Sequence, residues 1–414
     1  MLVDRLTSLR TSPRTSRRPF ASLALLASLL AIGACGDSGT TSAAGTTEGT
    51  GSESDSEGTS AGPTSSPNTG GQTSDVSGTQ GDSQTGGTTT VDPTSGSGET
   101  DPSTTDATTE DPSTTEDPST TTGDPTTGGG GDFEPVRFIA MGDGGEGNET
   151  QYKIANTLEM MCPDIGCEFV LYLGDNFYDE GVDAVDDSQF QTKFEEPYAD
   201  LTMPFYIVFG NHDYGLIANN WGKADYQIDY SDFSDKWTIP SPWYEFEREN
   251  AHFFALDTSR VFWDYQWDEQ RDWLQQGLAS SQATWKFAFG HHPYLSNGAH
   301  GNAGNYEGLG FPIPIISGGA VKDFVEDAIC GDVDVYFCGH DHNRQWLEPV
   351  CGTEFIVSGS AAKHTDLEHH DDQPTFFEDD TKGGFLWVEV DNDTLTGRFY
   401  DEDGNLEYER VLTK

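Results

Sequence analysis

The sequence predicts an α/β protein whose β-sheet is covered on both faces, and three observations carry this reading. Short runs that are apolar nearly throughout recur between residues 136 and 338, each run ends in glycine and a polar loop, and amphipathic helical patterns separate several of them. Strands that lack a polar alternation belong to sheets buried on each side by other layers.

The elements follow in order. VRFIAM (136–141) precedes GDGG, and a helix is expected over about 150–161. EFVLYL (168–173) precedes GDNFY, with a helix near 187–199. PFYIVF (204–209) runs into GNHD, and WKFAF (285–289) into GHHP. A helix is expected near 320–329, and VDVYFC (333–338) leads into GHDH. The later segments FIVSG, GFLWVEV and TGRFYDEDGNLEYERV alternate more and read as antiparallel strands with a DGN turn.

Composition divides the 414 residues unevenly. Residues 1–35 have a basic start (Arg5, Arg10, Arg14, Arg17, Arg18) and an apolar run from Phe20 to Ile32, too short to span a bilayer comfortably. The run closes on Ile32-Gly33-Ala34-Cys35, which resembles a bacterial lipobox, so a diacylated Cys35 is expected as the mature N-terminus. An ordinary secretory signal cleaved near Ala34 is the alternative. The expected location is the cell envelope or cell surface, with the membrane reached only through the N-terminal lipid; secretion is the alternative. Residues 36–132 are Ser, Thr, Gly, Asp, Glu and Pro almost throughout, with DPSTT at 101, 111 and 117. Such a segment cannot bury a core and is expected to be a disordered, solvated stalk.

Residues 133–414 hold every tryptophan and tyrosine and suffice for one large domain. The chain carries 71 Asp plus Glu against 21 Lys plus Arg, a formal charge of −50. An acidic surface of this kind repels nucleic-acid backbones, so no nucleic-acid partner is expected. The expected state is a monomer. Cys162 with Cys167 and Cys330 with Cys351 make sense as disulfides outside the cytoplasm, while Cys338, inside an apolar strand, reads as a buried thiol.

Five strands end in glycine followed at once by a metal-capable side chain: Asp143, Asp175, Asn211, His291 and His340. The carboxyl ends of strands in an open α/β sheet line one crevice, so these loops should converge. Each alone is more simply a turn or an Asx cap. Five in the same register, with His342 two residues after His340, point to metal. Mixed Asp, Asn and His ligands without thiolate suit Fe, Mn or Zn, and their number exceeds the needs of one ion. Asp175 is central in the set, so a carboxylate bridging two ions is the economical arrangement, and its use is phosphoester hydrolysis with a water made into hydroxide.

GDGG, GDNFY, GNHD, GHHP and GHDHN in this order resemble the metallophosphoesterase superfamily, and specifically the tartrate-resistant, purple acid phosphatases. KWTIPSPWYEF, FFALDT, WDEQRDWL and YFCGHDHNRQWL are similar to that family's intervening segments. The resemblance implies a four-layer sandwich of two mixed β-sheets flanked by helices, and an acid phosphatase acting on monoesters, with a small phosphorylated substrate as its partner. A phosphodiesterase, pyrophosphatase or nucleotidase with the same site, or a non-enzymatic metal-binding surface protein, are the alternatives. It implies a ferric ion held by Asp143, Asp175, Tyr178 as phenolate, and His342. A divalent ion (Fe2+, Zn2+ or Mn2+) would be held by Asp175, Asn211, His291 and His340. His212 and, by its spacing of nine from His291, His300 would contact substrate; Asp213 is expected to orient His212. Arg344 reads as a phosphate-steering group or an ordinary surface ion pair, and the His364, His369, His370 segment as a solvated loop.

Overall fold

A computed structural model of the chain describes residues 133–215, 219–308 and 316–414. The export signal, Cys35 and the stalk lie outside the described residues. Among those described, no helix is long and apolar enough to cross a membrane.

Among the described residues, fourteen strands form two seven-stranded sheets. They are β1 (Val136–Met141), β2 (Phe169–Tyr172), β3 (Phe205–Ile207), β4 (Trp237–Thr238), β5 (Tyr244–Arg248), β6 (Ala251–Ala255), β7 (Trp285–Phe289), β8 (Val335–Cys338), β9 (Arg344–Leu347), β10 (Glu354–Ser358), β11 (Thr375–Asp379), β12 (Gly384–Asp391), β13 (Thr394–Asp401) and β14 (Leu406–Thr413). The first sheet runs β14-β13-β12-β1-β2-β3-β4 and the second β11-β9-β10-β8-β7-β6-β5. β1 to β4 are mutually parallel, as are β6, β7, β8 and β10, and β12 to β14 add antiparallel strands. The helices are α1 (Glu149–Ile165), α2 (Gly222–Tyr230), α3 (Thr258–Phe262), α4 (Trp267–Ser280) and α5 (Gly319–Ala328). This is the expected metallophosphoesterase architecture, with two mixed sheets and helices.

Phenylalanine joins the sheets. Phe138 of β1, fully buried, stacks on Phe169 at 5.2 Å and meets Phe253, Phe287 and Phe337 of the second sheet edge-on at 5.3, 5.9 and 5.9 Å. Each such ring contributes about 2–3 kcal/mol by burial, and edge-to-face geometry adds to this. α1 begins where Asn148 accepts from the Gln151 amide at 3.0 Å, buries Ile154, Ala155 and Leu158 on one face, and stops at Gly166 (φ 80). The disulfides pair as expected, and Cys338 is buried and free.

Three expectations need correction. The helix foreseen over 187–199 is irregular: a π turn at Gln191–Glu195 lies between α-type bonds from Thr192 N to Ser188 O (3.1 Å) and from Tyr198 N to Phe194 O (3.1 Å), and Pro197 withholds one N–H from the ladder. FIVSG, foreseen as antiparallel, is β10, which runs parallel to β8 and antiparallel only to β9. Arg344 is not on the surface: it is fully buried, pairs with Asp379 and Glu407, and donates to Tyr400 O at 3.1 Å, so its guanidinium is committed to protein partners. It therefore clamps β9 and β11 of one sheet to β13 and β14 of the other.

Candidate metal centre

The five glycine-ended strands come from both sheets, β1, β2 and β3 from the first and β7 and β8 from the second, and their loops meet at one edge of the sandwich. Three of the five place the metal-capable residue itself in the left-handed region: Asp143 (φ 60), Asp175 (φ 51) and His340 (φ 72). A non-glycine residue there costs on the order of 1 kcal/mol or more, and the neighbouring loops hold it. The preceding glycines are required by crowding. A Cβ on Gly210 would lie 2.1 Å from Asp175 Oδ1, and one on Gly339 would lie 2.3 Å from Asp143 Oδ2.

GDNFY shows why an apolar strand ends as it does. Asp175 is buried at the centre of the site, and the side-chain amide of Asn176 turns inward to donate to Val208 O at 2.9 Å and Asp213 Oδ2 at 3.0 Å. Phe177 packs into the core against Phe190 and Trp237, and Tyr178 returns to the centre, donating to Asp143 Oδ1 at 3.0 Å and lying 3.1 Å from His342 Nε2. His342 Nε2 is 3.6 Å from Asp143 Oδ1, which closes one group of three.

The second group forms around His291. Its Nε2 lies 3.0 Å from Asn211 Oδ1, 3.0 Å from His340 Nδ1 and 3.4 Å from Asp175 Oδ2. Asp175, His291 and His340 offer ligand atoms all within 4.8 Å of one another. Asp175 also lies against Tyr178, so it touches both groups. All seven residues singled out as ligands are thus brought together.

The donor set fits metal ions. His291 Nδ1 faces the carbonyl of Leu173 at 2.9 Å, and a carbonyl has no proton, so Nδ1 carries one. In the neutral ring Nε2 is then a lone pair, and it faces an amide oxygen, a carboxylate oxygen and another ring nitrogen, so positive charge belongs at that point. With no ion bound a proton takes the place: Asp175 and Asp143 outweigh burial and raise His291 to about 9, while burial, helped by Asp175, pushes Asp143 up to about 7. A bound cation would displace that proton. Burial and neighbouring imidazoles hold His340 well below the usual histidine range, and burial and the Lys363 ammonium do the same for His342, leaving neutral rings able to coordinate. Tyr178 is raised well above an ordinary phenol by burial and by the two carboxylates, so its ionisation requires a strong positive charge at its oxygen.

An additional imidazole flanks each group. The His212 ring is 4.6 Å from that of Tyr178, with Nδ1 2.6 Å from the Asp179 carbonyl and its backbone N–H donating to Asp175 Oδ1 at 2.9 Å. The His300 ring stacks on His340 at 3.9 Å. Asp213 departs from expectation. Its carboxylate accepts from Gly210 N (2.7 Å), Asn176 N (3.1 Å), Asn176 Nδ2 (3.0 Å) and Gln227 Nε2 (3.0 Å), so it ties the GDN and GNHD loops together, and the Asp179 carbonyl is what orients His212.

Several supporting residues escaped sequence reasoning. Thr258 Oγ1 accepts from the backbone N–H groups of His291 (3.1 Å) and His292 (3.0 Å) and fixes the GHHP turn. Lys363 places its ammonium 3.5 Å from the Tyr178 ring centroid while paired with Glu146 at 2.9 Å. FFALDT carried a hint of Thr258 in its resemblance; nothing local marks Lys363. The segment bearing His369 and His370 packs on the His300 loop through Glu368 N and His369 N, both donating to Asn297 O at 2.9 Å, and its histidines face Glu378 and Glu368.

Fold and site together define a phosphoesterase of the two-sheet type, and the chain belongs to the calcineurin-like phosphoesterase family, whose profile matches residues 136–344. It is 29% identical to human tartrate-resistant acid phosphatase type 5 over 306 residues, 65% of this chain and 88% of that one. Purple acid phosphatase 4 of Arabidopsis thaliana is 28% identical over 302 residues, covering 65% of this chain and 81% of its own length. Among solved structures, GAP50, the anchor in the inner membrane complex of Plasmodium, shares the fold with a TM-score of 0.55 at 22% identity, over 67% of this chain and 89% of that one.

Proposed function

We propose that the chain is an acid phosphatase that hydrolyses phosphate monoesters at a ferric–divalent pair, with Asp143, Asp175, Tyr178 and His342 around Fe3+ and Asp175, Asn211, His291 and His340 around Fe2+, Zn2+ or Mn2+. The observation that carries this is the placing of the Tyr178 hydroxyl, 3.0 Å from Asp143 and 3.1 Å from His342, beside a second group that shares Asp175. When bound, the cations supply Lewis acidity toward the phosphoryl oxygens and acidify a water. The protein supplies position. His212 Nδ1 is committed to the Asp179 carbonyl, so Nε2 is the nitrogen presented to the phosphoryl group. His300 flanks the His340 side, so substrate is bracketed by an imidazole from each sheet.

Release of phosphate from an aryl monoester, compared with hydrolysis of the corresponding aryl diester at pH 5 and pH 7, tests the reading. Negligible monoester turnover beside rapid diester or pyrophosphate turnover would replace it with the alternatives. We further propose export and lipid anchoring at Cys35, with residues 36–132 as a stalk and 133–414 as the catalytic domain, from the composition of those segments. Fatty-acid labelling of the full chain in its host, lost in Cys35→Ala, supports the anchor; an unlabelled protein in the medium supports secretion.

A further inference from the structure

We infer that Glu307 is a positioning residue for His300, forming with it a carboxylate–imidazole pair that presents His300 Nε2 to the substrate. This rests on the phosphatase reading and deepens it, for the sequence offered His300 without any group to hold it.

The pair is built from both ends. Glu307 Oε1 accepts from His300 Nδ1, and the Glu307 backbone N–H donates to His300 O at 2.9 Å, so ring and main chain are bound to the same residue. From the other side, the His300 backbone N–H donates to Asp341 Oδ1 at 2.8 Å, and Asp341 lies between His340 and His342. The ring itself rests face to face on His340 at 3.9 Å and 21°. With Nδ1 taken by Glu307, Nε2 is the nitrogen left over, and among the described residues it has no hydrogen-bond partner.

The turn that bears Glu307 is arranged for this. Glu307 sits in the left-handed region (φ 56, ψ 21), where a non-glycine residue is disfavoured. Its neighbours fix it there: the buried Tyr306 bonds to Pro293 O, and Gly308 N donates to Asn305 O at 3.0 Å. A strained backbone at a side chain aimed at an active-site ring is the signature of a functional constraint. The two side chains are 31% and 40% exposed, and a simple surface ion pair at that exposure would need neither the backbone bond nor the strain. In an imidazole so held, the carboxylate keeps a hydrogen on Nδ1 and fixes the ring plane, and a second hydrogen, on Nε2, is the one offered to a phosphoryl or leaving oxygen.

The test is a double-mutant cycle on the full chain with its native metals: the parent protein, Glu307→Gln, His300→Ala and both together, assayed on an aryl and an alkyl phosphate monoester. Glu307→Gln is expected to lower kcat/KM about tenfold or more, chiefly through kcat, and more for the alkyl ester, whose leaving oxygen depends more on a hydrogen-bond donor. In the His300→Ala background the same change should alter kcat/KM by less than about twofold. Metal content and thermal midpoint should match the parent, and Glu307→Asp should recover part of the loss. A Glu307→Gln protein within about twofold of the parent, or an equal loss with and without His300, overturns the inference. Should the parent release no phosphate, the phosphatase reading falls first, and titration of the four proteins with inorganic phosphate decides the pair. Weakened binding in Glu307→Gln that disappears in the His300→Ala background supports it, and unchanged binding overturns it.

Discussion

Asp213 separates two accounts of the GNHD loop, and Asp213→Asn is the change that tells them apart. The native carboxylate is fully buried and meets only N–H donors: Asn176 N and Gln227 Nε2 at Oδ1, Gly210 N and Asn176 Nδ2 at Oδ2. An amide of the same shape keeps one oxygen. If that oxygen serves Gly210 N and Asn176 Nδ2, the new NH2 faces Gln227 Nε2 and Asn176 N, donor against donor. Gln227 cannot simply flip, because its Oε1 accepts from Asn176 Nδ2 at 3.2 Å. The charge-assisted bond from Gln227 Nε2 is lost and that from Asn176 N is reduced to its 3.2 Å contact with Oδ2, a loss of about 3 kcal/mol together. Burial and the Asp175 carboxylate push Asp213 up to about 7, so the neutral side chain recovers part of this. The net expectation is a loss of about 2 kcal/mol, and about 3–5 kcal/mol for Asp213→Ala, which leaves Gly210 N and Asn176 N without partners. Urea unfolding measures the stability, and metal analysis measures the looser hold on ions at Asp175. The reasoning is refuted if Asp213→Asn keeps parental stability and metal content yet reproduces the kinetic defect of a His212 variant, for the carboxylate would then be acting through the imidazole.

Other consequences are more direct. Phe138→Ala, at the junction of both sheets, should cost about 3–5 kcal/mol in urea unfolding, and a loss under about 1 kcal/mol would mean the sheets are not held by this cluster. Asp401 accepts from Asn405 N, Asp403 N, Asn405 Nδ2 and Lys382 Nζ at 2.6 to 3.0 Å, and these bonds, overcoming burial, lower it to about 2. Its folded-state pKa lies below the unfolded one, so its contribution of about 2 kcal/mol is complete above pH ~4 and lost as pH falls through ~2. Asp401→Asn should therefore lower stability at pH 6 and flatten the acid limb of the stability–pH curve; an unchanged acid limb would contradict the assignment.

What the sequence revealed depended on how local the cause was. β1 and β7 match their apolar runs residue for residue, and the five glycine-ended loops could be read because one residue pair at each strand end carries the signal. Helix α1 was also legible from its periodicity, although its last turn extends to Ile165. The short strands β4, β9 and β11 and helices α2 and α3 were not, because partners distant in sequence stabilise them. Arg344 shows the same limit: its burial is decided by Asp379 and Glu407 of other strands, which no local pattern announces. Asp213 was misread because Asn-His-Asp places it beside His212 in sequence, whereas the turn sends its carboxylate toward Asn176, on the loop after β2.

The most direct measurement is the visible absorption spectrum of protein purified from its own host, taken with its metal content. Two ions per chain, at least one of them iron, and a visible ligand-to-metal band that vanishes in Tyr178→Phe are predicted. A colourless protein carrying two zinc ions, or a band that survives in Tyr178→Phe, would contradict the phenolate-held ferric site.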